Sequence, residues 1–253
     1  MDLLVAENLV KNYEHFTAVN GVSFGIQKGE IFGFLGPNGA GKTSTINMLT
    51  GLAAVTSGTV VLNGFDYTRN VKKAQQMMGI VPDESNLYEE LDGFENLTFC
   101  AALYGMRKPQ REARARQLLE QFGLGEAGKK PFKAYSKGMK RKLTIAAGII
   151  PEPPILFLDE PTTGIDVASV RQIRSLILDL NKNGMTIFLT THYIEEAERL
   201  CQRVAFVVEG KIVRLDTIAE LMRENTTGQH RSVYCGEWCF EVARHYPSRV
   251  SRF

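Results

Sequence analysis

Apolar positions in the first 62 residues fall into strand-length blocks. Residues 3–8, 19–27, 30–35 and 58–62 alternate or run apolar, and Lys28-Gly29 supplies a turn between the second and third. Such blocks joined by short turns predict a mostly antiparallel β lobe. The pattern then changes period. Residues 43–50 read as a helix stopped by Gly51, and residues 84–150 as mainly helical. Pro109 suits the first turn of a helix whose one side carries Ala115, Leu118, Leu119 and Phe122, with Gly123 ending it. That 3,4 spacing marks a core-packed face. Residues 170–180 and 194–201 read as further helices. The wholly apolar run 155–158 suits a strand buried on both faces of a parallel sheet, and residues 79–81 and 186–190 read as further strands. Residues 204–208 and 211–214 flank Glu209-Gly210 as a hairpin, and from Thr226 periodicity is lost.

Two of the apolar runs end in chemistry. Residues 31–35 lead into Gly36-Pro37-Asn38-Gly39-Ala40-Gly41-Lys42-Thr43, followed by Ser44 and the predicted helix. Strand, G-x-x-x-x-G-K-T turn and helix together make a phosphate-binding loop. The glycines let backbone N–H groups close on phosphates, and the helix N-terminus adds the positive end of its dipole. Lys42 reaches the β- and γ-phosphates, and the Thr43 hydroxyl suits Mg²⁺. The run 155–158 ends in Asp159-Glu160, at the strand edge where parallel sheets place their ligands. Asp159 is placed to hold Mg²⁺, and Glu160 to take a proton from an attacking water. By itself such a run would also fit a solvated Asp-Glu turn.

Further segments accompany these two. Tyr135-Ser136-Lys137-Gly138-Met139 opens a helix, with Ser136 suited to the N-cap and Gly138 to close approach of an anion. Pro161-Thr162-Thr163-Gly164-Ile165-Asp166 follows the carboxylates, and His192 follows the 186–190 run. On these motifs, in this order and spacing from residue 2 to about 222, the chain resembles the ATP-binding subunit of an ATP-binding-cassette (ABC) transporter. The forms of the 135–139 and 162–166 segments most resemble the multidrug and antibiotic exporter branch.

The resemblance implies an α/β P-loop NTPase fold with a mainly parallel core sheet, an N-terminal antiparallel β lobe and an inserted helical lobe. It makes 36–43 the Walker A loop, 155–159 Walker B, 135–139 the signature, Asp166 part of the D-loop and His192 the switch histidine. Tyr13 falls where the family stacks an aromatic ring on adenine. It further implies ATP and Mg²⁺ as ligands, a separate membrane permease chain and a second ATPase subunit packed head to tail. In that dimer Ser136, Lys137, Gly138 and Met139 face the ATP held by the partner's loop, so hydrolysis is gated by assembly.

Three positions depart from the family. Asp83 stands where it usually has Gln, and Lys137 and Met139 replace the commoner Gly and Gln. Asp83 offers the hard oxygens that Mg²⁺ favours, and it equally suits an acidic turn facing water.

Composition agrees with this reading. At 253 residues and 44% hydrophobic, the chain can build a core for one α/β domain over 1–225, with its helical insert at about 84–150. A net charge of +2 lacks the basic footprint of a nucleic-acid binder. No run approaches the roughly 20 apolar residues of a membrane span, and Met1-Asp2-Leu3-Leu4 lacks a basic leader. The expected location is cytoplasmic, peripheral at the inner face of the cell membrane. Cys100 and Cys201 are expected as reduced core residues. The tail from 226 to 253 is expected to be irregular. It contains His230, Cys235, Cys239 and His245, a possible zinc set whose spacing fits no common finger.

Two other classes use similar motifs. ABC-type ATPases acting on nucleic acid or ribosomes carry long insertions or two fused cassettes, whereas Lys42 and Asp159 lie 117 positions apart in one cassette. A non-hydrolysing regulatory module would not need Glu160 and His192, and both are present.

Overall fold

The computed structural model describes residues 2–68 and 70–227. The elements run β1 (Asp2–Tyr13), β2 (Phe16–Gln27), β3 (Ile31–Leu35), α1 (Lys42–Leu49), β4 (Ser57–Leu62), β5 (Phe65–Asp66), α2 (Val71–Gln75), β6 (Met78–Val81) and α3 (Gly93–Leu103). They continue α4 (Lys108–Gln121), α5 (Lys137–Gly148), β7 (Ile155–Asp159), α6 (Val167–Lys182), β8 (Thr186–Thr191), α7 (Ile194–Leu200), β9 (Arg203–Val208), β10 (Lys211–Thr217) and α8 (Ile218–Thr227). Among the described residues no helix is long and apolar enough to cross a membrane. The chain divides into two compact units, one of residues up to Val71 with those from Ile187 onward, the other Lys72–Thr186.

In the first unit β1, β2, β4 and β5 form an antiparallel sheet in the order β2-β1-β4-β5. Its one-sided burial follows the alternation: Leu4, Ala6, Val22, Phe24 and Ile26 point inward. β3 does not join it. The sequence grouped residues 30–35 with the antiparallel lobe, but β3 pairs parallel with β8 (Ile31 opposite Ile187) and with β9 (Phe32 opposite Arg203). The reason is in the run itself, since all five residues of β3 are buried and only a strand covered on both faces can hide them. Phe24 of the antiparallel sheet stacks on Phe32 at 5.2 Å and on Phe188 at 6.0 Å, and Phe34 lies 5.6 Å from Phe188. Each such pair adds about 0.5–1.5 kcal/mol to the burial term.

The second unit pairs β6 with β7 in parallel and packs helices around them. α4 starts with Pro109 in its first turn, and its Ala115, Leu118 and Leu119 are buried, as is Phe122. Residues 84–92, expected within a mainly helical stretch, are not helical. Helix resumes only where Asp92 accepts from Glu95 N at 2.7 Å and Glu95 Oε2 accepts from Asp92 N at 2.9 Å. This reciprocal capping box sets the start of α3.

The hairpin at Glu209-Gly210 is present, with φ of 47° and 74° at its two turn residues. α8 extends to Thr227, so the first two residues of the expected tail, 226 and 227, are helical. Residues 228–253, with His230, Cys235, Cys239 and His245, lie outside the described residues. Cys201 is buried and free, and burial pushes its thiol well above the usual range, whereas Cys100 is free and only half-buried.

Candidate functional site

The loop from Gly36 to Gly41 connects β3 to α1 in the first unit, and its glycines answer to specific neighbours. A Cβ on Gly36 would lie 2.3 Å from Val207 O, and one on Gly41 would lie 2.4 Å from Ala18 O. Gly39 and Gly41 have φ of 82° and 98°, a left-handed backbone that L side chains adopt only with strain. Gly41 is the N-cap of α1 and offers no side chain to its first turn. That leaves the first-turn N–H groups to serve an anion. Gly210 N donates to Ala40 O at 3.1 Å and Gly210 O accepts from Asn20 N at 2.7 Å, so the β9–β10 turn braces the loop.

Lys42 opens α1 and is buried; its Nζ donates to Gly36 O at 2.8 Å and Pro37 O at 3.2 Å, folding the ammonium over the loop. Thr43, Asn38 and Gly39 are exposed, while Pro37 and Ser44 are half-buried and Ala40 is buried. Because β8 runs parallel to β3, Gly36 N donates to Thr191 O at 3.3 Å, which puts His192 next to the start of the loop. The His192 ring lies 3.9 Å from that of Tyr193. Tyr13 ends β1 in a partly exposed position, stacked on Phe16 at 5.4 Å with Lys11 Nζ 5.0 Å from its ring centre. Nothing in the spacing had singled out Phe16.

The carboxylates lie in the second unit. Asp159 closes β7 and Glu160 follows it; both are buried. Glu160 has φ of 48°, a conformation that costs a non-glycine residue on the order of 1–3 kcal/mol and clusters at working sites. Its Oε2 accepts from Thr163 Oγ1 at 3.0 Å, and its carbonyl accepts from Thr163 N at 3.2 Å. The turn therefore fixes both the backbone and the carboxylate. Thr163 was visible only as part of a motif, and its bond to Glu160 has no sequence signal beyond the three-residue spacing.

Ser136 caps α5, its Oγ accepting from Met139 N at 3.2 Å, and is exposed with Lys137. Met139 is half-buried. Gly138 is buried because a Cβ there would lie 2.2 Å from Ser169 Oγ on α6. Asp166 caps α6, accepting from Ser169 N at 3.0 Å, and the Ser169 hydroxyl and amide hold its carboxyl below the ordinary carboxylate range. Asp83 follows β6 at half exposure, with Oδ1 3.3 Å from the Arg141 guanidinium of α5. A cavity of about 400 Å³ in this unit is lined by Asp83, Lys137, Arg141, Thr144, Thr163 and Gly164, among others.

Comparison with known proteins agrees with the geometry. A family model described as ABC transporter matches residues 19–163, more than half of the chain. The linearmycin resistance ATP-binding protein LnrL of Bacillus subtilis (strain 168) is 42% identical over 219 residues, 87% of this chain and 70% of that protein. The daunorubicin/doxorubicin resistance ATP-binding protein DrrA of Streptomyces peucetius is 39% identical over 84% of this chain and 64% of its own length. Among solved structures, the ATP-binding subunit of an ABC transporter superposes with a TM-score of 0.80 at 28% identity, covering 95% of this chain and 99% of that one. A dimeric ATP-binding cassette in a post-hydrolysis state, bound to ADP and phosphate, shares the fold with a TM-score of 0.78 at 24% identity, covering 85% of this chain and 98% of that one. On the family match, the length of the aligned relatives and the shared α/β cassette fold, the chain belongs to the ABC transporter family, as one of its ATP-binding, ATP-hydrolysing subunits.

Proposed function

We propose that this subunit powers export of a drug- or antibiotic-like compound through a permease carried on a separate chain, at the cytoplasmic face of the membrane. The names of the relatives support the cargo class: linearmycin and daunorubicin/doxorubicin resistance, and fluoroquinolone export. An apolar surface on the helical unit supports the docking partner. Tyr88 and Phe99 meet edge to face at 5.1 Å with both rings partly exposed, and Leu103, one turn beyond Phe99 on α3, is 72% exposed.

In this reading the Gly36–Thr43 backbone and Lys42 grip the phosphates, Ser44 extends that contact and Tyr13 stacks on adenine. Glu160 accepts a proton from the attacking water, held for that task by Thr163, and His192 orients the γ-phosphate. Thr43 and Asp159 present the hard oxygen donors that fit Mg²⁺, which when bound would offset negative charge on the transferring phosphoryl group. Ser136, Lys137, Gly138 and Met139 serve the ATP of a second copy, with Asp166 lining the same contact.

The observation that carries the shared site is the N-terminus of α5. Ser136 caps it and is exposed together with Lys137, which supports an anion held outside the chain, the ATP of a second copy, as what this helix end serves. Glu160→Gln tests the whole scheme. Turnover should fall by at least about 100-fold, the scale of a lost general base, with ATP affinity nearly unchanged. ATP should also trap this variant as a dimer on size exclusion. Turnover at the wild-type rate would remove Glu160 from the mechanism.

A further inference from the structure

The segment after β6 is strapped along one face of α5 by polar contacts. Arg141 is nearly buried and donates to Pro82 O at 2.7 Å and to Asp83 O at 2.5 Å, with the Asp83 carboxylate 3.3 Å away. Ser85 Oγ and Thr144 Oγ1 share a hydrogen bond at 2.9 Å, and Glu89 pairs with Lys140 at 3.5 Å. Residues 140, 141 and 144 lie on one side of a helix, so three anchors act in register. The far end of the strap is fixed as well. Lys133 N donates to Glu89 O at 3.0 Å, and the Asn96 amide holds Tyr88, Leu91 and Asp92.

We propose that Asp83 is a positioning residue that acts through Arg141, clamping residues 82–90 to α5 and so fixing where the Ser136–Gly138 helix end points. This rests on the reading of that helix end as the site for a second copy's ATP. Two carbonyls already hold the guanidinium, so it cannot leave Asp83 without abandoning bonded, buried groups. A divalent cation on the same carboxylate would sit beside a nearly buried positive charge, where repulsion is poorly screened. A glutamine here would offer an oxygen without forming an ion pair. The acidic residue and the buried arginine therefore make one device, which assigns Asp83 to the strap and leaves Thr43 and Asp159 as the oxygen donors for the ion.

A double-mutant cycle on the full-length chain tests this, with Asp83→Asn and Arg141→Gln alone and together. Asp83→Asn should speed hydrogen exchange at residues 83–90 and lower kcat, each by about tenfold, the scale of one charge-assisted contact. KM for ATP should stay within about twofold, because the phosphate loop is untouched. In the Arg141→Gln background Asp83→Asn should add nothing, the mark of residues acting as a unit. Asp83→Glu, which keeps the charge, should restore most of the protection. The Mg²⁺ dependence of ATP binding, followed by calorimetry, should not move in any of these variants. A severalfold shift of that dependence with Asp83→Asn in both backgrounds would make Asp83 an ion ligand, and additive losses would dissolve the pair. Should Arg141→Gln fail to fold, Arg141→Lys takes its place. If Glu160→Gln forms no ATP-dependent dimer while the exchange cycle is still non-additive, the shared-site reading has failed and the strap has not.

Discussion

The loop before α1 and the segment before α5 are two glycine-bearing helix N-termini, built in opposite ways. α1 is capped by Gly41 in a left-handed conformation with no side-chain bond to its first turn, and a lysine follows at once. α5 is capped by Ser136 in an extended conformation, and its hydroxyl already satisfies Met139 N. The first leaves its N–H groups for a ligand and adds a cation, so it can hold a phosphate unaided. The second also begins with a lysine, Lys137, but that side chain is exposed, whereas Lys42 is buried and folded over its own loop. α5 is therefore a self-sufficient helix end whose cation is not clamped over the cap.

The largest separation between them should come from Lys42→Ala. Losing the cation should weaken ATP binding by on the order of 2–5 kcal/mol, read by calorimetry, with little change in thermal stability. Unchanged affinity would undo the assignment of the loop. Gly138→Ala is next. The added methyl has to displace Ser169 Oγ from 2.2 Å, an overpacking that costs about 1–3 kcal/mol of stability in denaturant unfolding. ATP binding by the isolated chain should survive it, and loss of binding would mean the two helix ends are not independent. Ser136→Ala should cost about 1 kcal/mol as a lost N-cap and again spare ATP affinity.

The smallest effect concerns pH. Because Asp166 is held below the ordinary carboxylate range, near 3.9, its share of stability is complete above that value. That share fades as pH falls through the depressed folded-state value. Ser169→Ala removes the hydroxyl responsible, so the Asp166 titration followed by NMR should move up towards the ordinary value. A titration that stays put would assign the depression to the helix end alone.

The difference between the two helix ends was partly legible in the sequence. G-x-x-x-x-G-K-T fixes its own geometry through local backbone demands, and Ser136 as N-cap follows from residue type. What could not be read depends on distant partners. The placement of β3 turned on burial of both its faces, which an apolar run of five suggests but its neighbours decide. Arg141 drew no notice because nothing local distinguishes it from Lys140 or Lys142, and only the fold brings it to Asp83. The backbone of Glu160 has no sequence signature, since glutamate at positive φ is imposed by the turn to Thr163. Capping at Asp92 and Glu95 was readable in principle, but the expectation of a continuous helical stretch passed over it.

The brace behind the phosphate loop has a consequence in time. Gly36 lies against Val207, and Ala40 accepts from Gly210, so the loop is backed by a turn about 170 residues further along the chain. A ribosome adding 5–20 residues per second needs on the order of ten to thirty seconds to get from one to the other. The nascent chain thus carries its nucleotide motif early and acquires the wall behind it late. The wall behind the nucleotide motif is complete only once nearly all of the described length has been made.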